Sequence, residues 1–158
     1  MIDALTLQLQ QEVFAIDARQ VREILEMVPV TRVPGAPACM NRVINVRGRI
    51  VPLADLRVLF GMACPDADVH TRIVVVELML GGDPVVVGIL ADAVNEVTRI
   101  PDELMEPPPR VGMRWPIEFV AGISRHEDRF VVVPDLPRIF EAIADDALPQ
   151  TTCARAAA

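Results

Sequence analysis

The chain has 158 residues, of which 52% are hydrophobic, and its 15 basic and 22 acidic residues give a net charge of −7. This composition excludes an intrinsically disordered chain, and no apolar run reaches the ~18 residues that a membrane-spanning helix needs. The negative net charge argues against nucleic-acid binding and against a polybasic membrane anchor, because both need a concentrated basic face. The three cysteines, Cys39, Cys64 and Cys153, match neither a CxxC pair nor a zinc ribbon, which favours a reducing, cytoplasmic environment.

Short segments with alternating polarity, as at 4–16, or rich in β-branched residues, as at 72–80, predict an all-β fold with a few helical turns. The first strand pair spans 4–16 with a turn at Gln10-Gln11, segment 21–26 is ambiguous between helix and strand, and 31–37 is a predicted connection. Further strands are predicted at 42–48, 50–55, 72–80, 85–90, 95–100, 120–124 and 130–133. Short helices are predicted at 56–60 and 137–143, and a proline-rich loop at 107–115.

An internal repeat is the most informative pattern in the sequence. Residues 13–24 and 86–97, which are 73 positions apart, both read V-x-x-I-x-x-x-x-V-x-E-[IV]. Segment 53–60 recurs 80 positions later at 133–140, where Asp55 becomes Asp135; each is predicted to cap a short helix. Each copy offers about five short strands, too few to be stable alone, so we expect two small barrels that pack together and leave a groove between them.

The sequence contains no recognisable motif of a catalytic or metal-binding site. Ser124 and His126 would share one face of a strand, but no G-x-S-x-G motif surrounds them and the segment reads as a hairpin tip. His70 is far from His126, and neither a compact metal-ligand set nor a phosphate-binding glycine loop is present. We therefore expect no catalytic site, no metal and no cofactor.

The run 42–57 holds the strongest candidate for an interaction site. Asn45 and Gly48 suit a tight turn, and Glu23 is the nearest candidate partner for Arg47 across neighbouring strands. Two interpretations of these residues remain open. One is a surface ion pair that contributes about 0–1 kcal/mol to stability, and the other is an arginine-centred protein interface.

Several motifs together resemble the CheW family of chemotaxis coupling proteins. In the first half they are V-R-E-I at 21–24, V-P at 33–34, V-I-N-V-R-G at 43–48, I-V-P-L-A-D-L-R at 50–57 and F-G at 60–61. In the second half they are R-I-V-V-V-E at 72–77, G-I-L-A-D at 88–92, V-N-E-V at 94–97, P-P at 107–108, A-G-I at 121–123 and D-L at 135–136. The resemblance covers roughly residues 4–143.

This resemblance implies a single CheW-like domain over 1–147, built as two SH3-like five-stranded β-barrel lobes by internal duplication. Lobe one is expected at about 13–65 and lobe two at about 70–140, with the termini crossing between the lobes and a flexible tail at 148–158. The family implies a non-catalytic adaptor, cytoplasmic and recruited to membrane receptor arrays. Its expected partners are the cytoplasmic tip of methyl-accepting chemoreceptors and the regulatory domain of a CheA-type histidine kinase.

The expected partner-binding residues are Val21, Glu23, Arg42, Asn45, Arg47 and Gly48. By resemblance, Glu23 and Arg47 match a Glu and an Arg of the receptor-facing surface, with Val21 beside them. Arg42 replaces a glycine that is frequent in the family, and a long charged side chain there would alter the receptor contact or indicate another receptor class. The alternatives are a small-ligand site in the groove between the lobes, a CheW-like scaffold of a non-chemotaxis motility pathway, and an enzyme.

Overall fold

The structure is a computed structural model that describes residues 1–109 and 116–145. Within these residues, eleven β-strands are joined by two α-helices and single turns of 3-10 helix. The tail expected at 148–158 and the end of the proline-rich loop lie outside the described residues. The elements are β1 (Ile2–Leu9), β2 (Glu12–Asp17), β3 (Val21–Glu26), β4 (Val30–Arg32), β5 (Arg42–Val46), β6 (Arg49–Ala54), α1 (Leu56–Leu59), β7 (Arg72–Leu80), β8 (Asp83–Ala91), β9 (Ala93–Ile100), β10 (Val120–His126), β11 (Arg129–Pro134) and α2 (Leu136–Ala144).

Two elements differ from the sequence-based expectation. The ambiguous segment is strand β3, and its alternation of half-buried and exposed residues fits the period of two. Strand β4 overlaps the predicted connection. Its three residues are all exposed, and it pairs with β5 through the backbone, so its side chains give no apolar alternation that a sequence pattern would reveal.

The strands form two sheets that define two lobes. The six-stranded lobe has the order β3-β7-β8-β6-β5-β4, and the five-stranded lobe has the order β10-β11-β2-β1-β9. Each contains one parallel contact, between β6 and β8 and between β11 and β2, and the other pairs are antiparallel. The expected all-β fold of two packed lobes with short helices is confirmed. The expected number of five strands holds for one lobe, whereas the other has a sixth, because the short strand β4 pairs along its edge.

The internal repeat is visible in the strand register. In the five-stranded lobe Val131 lies opposite Val13. Shifting these positions by the sequence offsets of 80 and 73 places Val51 opposite Val86, and this is the register in which Leu53 lies opposite Gly88 in the six-stranded lobe. The two sheets are therefore built by equivalent strands of the two repeats.

The two repeats exchange their first hairpins. Strands β1 and β2 of the first repeat complete the five-stranded lobe, whereas β7 and β8 of the second repeat complete the six-stranded lobe. The strands of the six-stranded lobe consequently lie within residues 21–91, and those of the five-stranded lobe lie before and after this range. These bounds differ from the expected lobe bounds of about 13–65 and 70–140. The physical reason is that the hairpins pair across the repeats, and a one-dimensional repeat pattern does not contain this information.

Three apolar clusters stabilise this arrangement. The largest lies between the two sheets and takes one face of each central strand, with Leu7 from β1 and Val76 from β7. The other faces fill the lobe interiors, with Ile73 and Val75 in the six-stranded lobe and Ala4 in the five-stranded lobe. Within the described residues, the space where we expected a groove between the lobes is thus occupied by apolar side chains.

Each sheet curls and brings together side chains from strands that are not neighbours. In the six-stranded lobe Glu23 on β3 approaches Arg47 in the β5–β6 turn, although three strands separate β3 from β5. In the five-stranded lobe Thr98 on β9 lies 3.5 Å from His126 on β10, which are the two outermost strands. Among the helices of the described residues, none has the length and apolar content to cross a membrane.

Candidate functional site

The turn between β5 and β6 presents Arg47 to solvent. Arg47 and Gly48 have φ values of 52° and 83°, and two consecutive positive φ values are typical of the type I′ turn that joins two strands through two residues. The side chain of Asn45 accepts a hydrogen bond from the Gly48 amide at 2.8 Å. Asn45 and Gly48 therefore shape the turn, as predicted, and the Arg47 side chain is left 82% exposed.

Glu23 reaches the same place from the opposite end of the sheet. The pairing of β3 with β7 shifts by one residue between Val21 and Glu23, which marks a β-bulge. A Glu23 carboxylate oxygen lies 3.5 Å from an Arg47 guanidinium nitrogen. The two side chains meet as expected, but through the curl of the sheet and not across neighbouring strands.

Five of the six expected residues gather at this end of the six-stranded lobe. We call Val21, Glu23, Asn45, Arg47 and Gly48 the Glu23–Arg47 surface. Val21 is half-buried and packs against the cluster between the sheets. Sequence analysis missed Ile50, which lies opposite Asn45 on the same hairpin and is 79% exposed. Ile50 can be identified as exposed only from its position in the pairing of β5 with β6, and this pairing is known only once the turn has been located.

Arg42 lies apart from this surface. It is at the far end of β5, four residues or about 13 Å from Val46 along the strand. Its guanidinium lies 3.4 Å from the Asp55 carboxylate. The structure thus places Arg42 beside a helix cap and not beside Glu23 and Arg47.

Asp55 belongs to a buried network of charges. It caps α1 by accepting from the Arg57 amide, and its two oxygens accept from the Arg57 guanidinium at 2.9 Å each. Arg57 also donates to Asp92 at 2.7 Å. Burial of Arg57 opposes its charged form, but the hydrogen bonds and charges of Asp55 and Asp92 outweigh this and raise its pKa above the ordinary value. The network connects α1 to the junction of β8 and β9 and is structural.

The five-stranded lobe carries the equivalent of the Glu23–Arg47 surface with different chemistry. Glu96 is the repeat partner of Glu23, and the β10–β11 turn contains Glu127 and Asp128 at φ 48° and 62°, where the first turn has Arg47 and Gly48. His126 Nε2 lies 3.6 Å from a Glu96 oxygen and 3.9 Å from a Glu127 oxygen. Sequence analysis found no compact His/carboxylate set because these residues are thirty positions apart, although the repeat had already paired Glu96 with Glu23.

The residues considered for catalysis are not assembled into a nucleophile and base. Ser124 is buried and His126 is half-exposed on β10, and in the described residues the only side-chain hydrogen-bond contact of the imidazole is with Thr98. Burial raises the pKa of the Cys39 thiol, which keeps it protonated at neutral pH and unreactive. Neither group shows the activation that nucleophilic catalysis requires.

Both lobes also expose apolar side chains at equivalent positions. Ile24 and Ile50 are 43% and 79% exposed on the six-stranded lobe. Their counterparts in the repeat, Val97 and Phe130, are 61% and 64% exposed on the five-stranded lobe. The chain therefore presents two partly apolar outer faces, one on each lobe.

Comparisons with known proteins match this arrangement. The CheW-like domain family matches residues 3–144. The probable chemotaxis protein CheW of Rhizobium etli is 31% identical over 134 residues, which cover 85% of this chain and 84% of that protein. The chemotaxis protein CheW of Klebsiella aerogenes is 31% identical over 134 residues, covering 85% of this chain and 78% of that protein.

The same fold is found in a solved structure. The crystal structure of the scaffolding protein TtCheW from Thermoanaerobacter tengcongensis superimposes with a TM-score of 0.78 at 31% identity, and the match covers 88% of this chain and 87% of that one. Together with the duplicated strand topology and the family match over 3–144, these likenesses show that the chain belongs to the CheW family of chemotaxis adaptor proteins.

Proposed function

We propose that this adaptor couples the cytoplasmic tip of a chemoreceptor to the regulatory domain of a CheA-type histidine kinase, and that the Glu23–Arg47 surface binds one of these partners. The protein acts without catalysis, in the cytoplasm, at membrane receptor arrays. The mechanism is thermodynamic linkage: because one molecule binds both partners, a conformational change in the receptor shifts the equilibrium of the kinase.

The ion pair of Glu23 and Arg47 is the observation that carries the proposal. Arg47 is 82% exposed and its distance of 3.5 Å to Glu23 is long for an ion pair, so the pair contributes only about 0–1 kcal/mol to stability. The Arg47 charge is therefore available to a partner, and the Glu23 side chain, 25% exposed, is partly accessible beside it. Exposed Ile50 on the same hairpin adds apolar area, and an apolar surface with a charged pair suits the face of an amphipathic helix.

The second exposed face supports an adaptor over a single-partner protein. Val97 and Phe130 on the five-stranded lobe repeat the apolar exposure of Ile24 and Ile50 on the six-stranded lobe. An adaptor has to hold two partners at once. Equivalent faces on two lobes that share one apolar cluster meet this need without competition between the partners.

The test is calorimetric binding of the purified chain to the CheA-type regulatory domains and to the chemoreceptor cytoplasmic fragments of its own genome. We expect wild type to bind both classes of partner. Arg47→Glu should weaken binding to one class at least tenfold, about 1.4 kcal/mol, because it reverses a charge at the interface and repels Glu23. Its far-UV circular dichroism should match wild type.

Two further variants make this test specific. Arg99→Glu is the matched control, because Arg99 is 75% exposed and pairs with Asp3 at 3.2 Å on the five-stranded lobe. Reversing the charge of Arg99 should leave unchanged the binding of the partner class that Arg47→Glu weakens. The swap Glu23→Arg with Arg47→Glu restores the mutual ion pair but presents both charges in the wrong places, so binding should stay weak. Recovery of binding in the swap, or unfolding of Arg47→Glu, would assign the pair a structural role. If wild type bound neither class of partner, the adaptor proposal would be wrong.

A further inference from the structure

The turn of the five-stranded lobe brings together three side chains that commonly bind metal ions. His126, Glu96 and Glu127 each offer one ligand atom, and these atoms all lie within 4.8 Å of one another. They form one side of a surface pocket whose wall includes Asn95 and Arg129. None of these residues belongs to the Glu23–Arg47 surface.

The imidazole of His126 is held with one nitrogen free. Nε2 is shielded from solvent and has no hydrogen-bond partner in the described residues, because its distances of 3.6 and 3.9 Å to the two carboxylates are too long for a hydrogen bond. On the other side of the ring, the Thr98 hydroxyl lies 3.5 Å from Nδ1. If that hydroxyl accepts from Nδ1–H, the lone pair lies on Nε2, and orientation through the other nitrogen is typical of metal-binding histidines.

The two carboxylates at this turn lack the arginine partner that the equivalent glutamate has in the other lobe. In the six-stranded lobe the equivalent carboxylate, Glu23, faces the arginine Arg47. In the five-stranded lobe Glu127 takes the place of that arginine, so Glu96 faces a second carboxylate. Arg129 lies in the pocket wall, but among the described residues no arginine is within ion-pair distance of either carboxylate.

We propose that Glu96, His126 and Glu127 form a binding site for a divalent transition-metal ion such as Zn²⁺ at the open end of the five-stranded lobe. One imidazole nitrogen and two carboxylate oxygens form a ligand set that Zn²⁺ accepts, with bonds of about 2.0–2.2 Å and therefore roughly 3.4 Å between ligand atoms in a tetrahedron. His126 Nε2 lies 3.6 and 3.9 Å from the two carboxylates, and all three ligand atoms lie within 4.8 Å of one another, so the carboxylates have to move closer by at most about 1.4 Å. The carboxylates, 62% and 79% exposed, are free to make this movement.

This site does not depend on the Glu23–Arg47 surface, although Glu96 and the β10–β11 turn adjoin Val97 and Phe130 on the second apolar face. A bound ion would fix the β10–β11 turn to β9 and so hold together the two ends of the curled sheet, because Glu96 lies on β9 and the other two ligands lie at the β10–β11 turn. The ion therefore has a structural use whether or not the Glu23–Arg47 surface binds a receptor.

The test is calorimetric titration of the untagged, full chain with Zn²⁺ in metal-free buffer. We expect one site per chain, at least tenfold weaker in His126→Gln and in Glu127→Gln. Asp128→Asn is the matched control, because Asp128 is the neighbouring acidic residue of the same turn and lies outside the ligand set. It should bind as wild type does, and so should His70→Gln, which removes the other histidine of the chain.

A second measurement identifies the ligand residues directly and does not rely on a comparison of affinities. With Co²⁺ in place of Zn²⁺, the proton resonances of His126 should broaden selectively while those of His70 stay sharp, and the absorption spectrum should lack the charge-transfer band of a cysteine thiolate ligand. Equal affinity in wild type and Glu127→Gln would overturn the proposal, as would equal broadening of both histidines, because either result means an adventitious ion only. Glu127 is exposed, so its variant tests the site even if His126→Gln does not fold.

Discussion

Asp55 and Asp135 occupy equivalent positions in the two repeats, yet they have different surroundings. Both accept a hydrogen bond from a backbone amide in the first turn of the following helix, which confirms that they are caps. Asp55 is 5% exposed and also binds the buried Arg57 through both oxygens. Asp135 is 30% exposed, and its contact with Arg138 is 3.9 Å long. The same capping residue is thus part of a buried charge network in one repeat only.

We predict that Asp55→Ala destabilises the protein by about 3–5 kcal/mol, because it leaves the charge of Arg57 buried with one partner fewer. Asp135→Ala should cost about 1 kcal/mol, the usual value of a helix cap. The measurement is the free energy of unfolding from urea titrations followed by circular dichroism. Equal losses in the two variants would show that the network around Arg57 adds nothing beyond the cap.

At the scale of elements, the two-residue turns fix which side chains meet at the ends of the sheets. The β5–β6 turn is set by positive φ at Arg47 and Gly48 and by the Asn45 side chain. A Cβ added to Gly48 would have no atom within 4 Å. Substitution there consequently tests the backbone conformation alone, without a steric clash.

Gly48→Ala should therefore destabilise the protein by about 1 kcal/mol, because alanine tolerates a positive φ poorly. Gly48→Asn should cost less, since asparagine is more frequent in the left-handed region. Thermal unfolding of the two variants beside wild type measures this order. An asparagine variant as unstable as the alanine variant would mean that the turn needs something other than a left-handed residue.

At the scale of the whole molecule, neither lobe is built from the strands of a single repeat. The six-stranded lobe needs β7 and β8 from the second repeat, and the five-stranded lobe needs β1 and β2 from the first. The central strands also share one apolar cluster between the sheets. The two lobes are therefore expected to unfold together in one transition.

We predict that a chain cut between Pro65 and Asp68 yields two pieces that do not fold alone. Each piece would leave a central parallel contact, β6 with β8 or β11 with β2, without its partner strand. An equimolar mixture should regain β-structure and a cooperative thermal transition, measured by circular dichroism and sedimentation. Cooperative unfolding of either piece as a monomer would contradict the exchange of hairpins.

The sequence by itself determined the features that depend on near neighbours. Period-two polarity in the first strand pair and β-branched runs bounded by turn residues predicted nearly all strands. The asparagine and glycine of the β5–β6 turn were identified by their conformational preferences, and the two caps were predicted because they precede short helices. The repeat predicted two equivalent lobes, and the motifs of both halves together, over residues 4–143, predicted the family. Apart from the repeat and the family motifs, which extend along the chain, these signals depend on side chains a few residues apart.

The tertiary structure alone decided which distant strands pair. Either assignment of β1–β2 and β7–β8 satisfies the same alternation of polar and apolar residues, so the hairpin exchange leaves no trace in the pattern. The curl of each sheet then brings Glu23 to Arg47 and Glu96 to His126, across strands that are not neighbours. It also directs Arg42 to Asp55 and away from the surface on which we expected it. Contacts between sheet ends depend on the twist and closure summed over five or six strands, and no short segment of sequence encodes that sum.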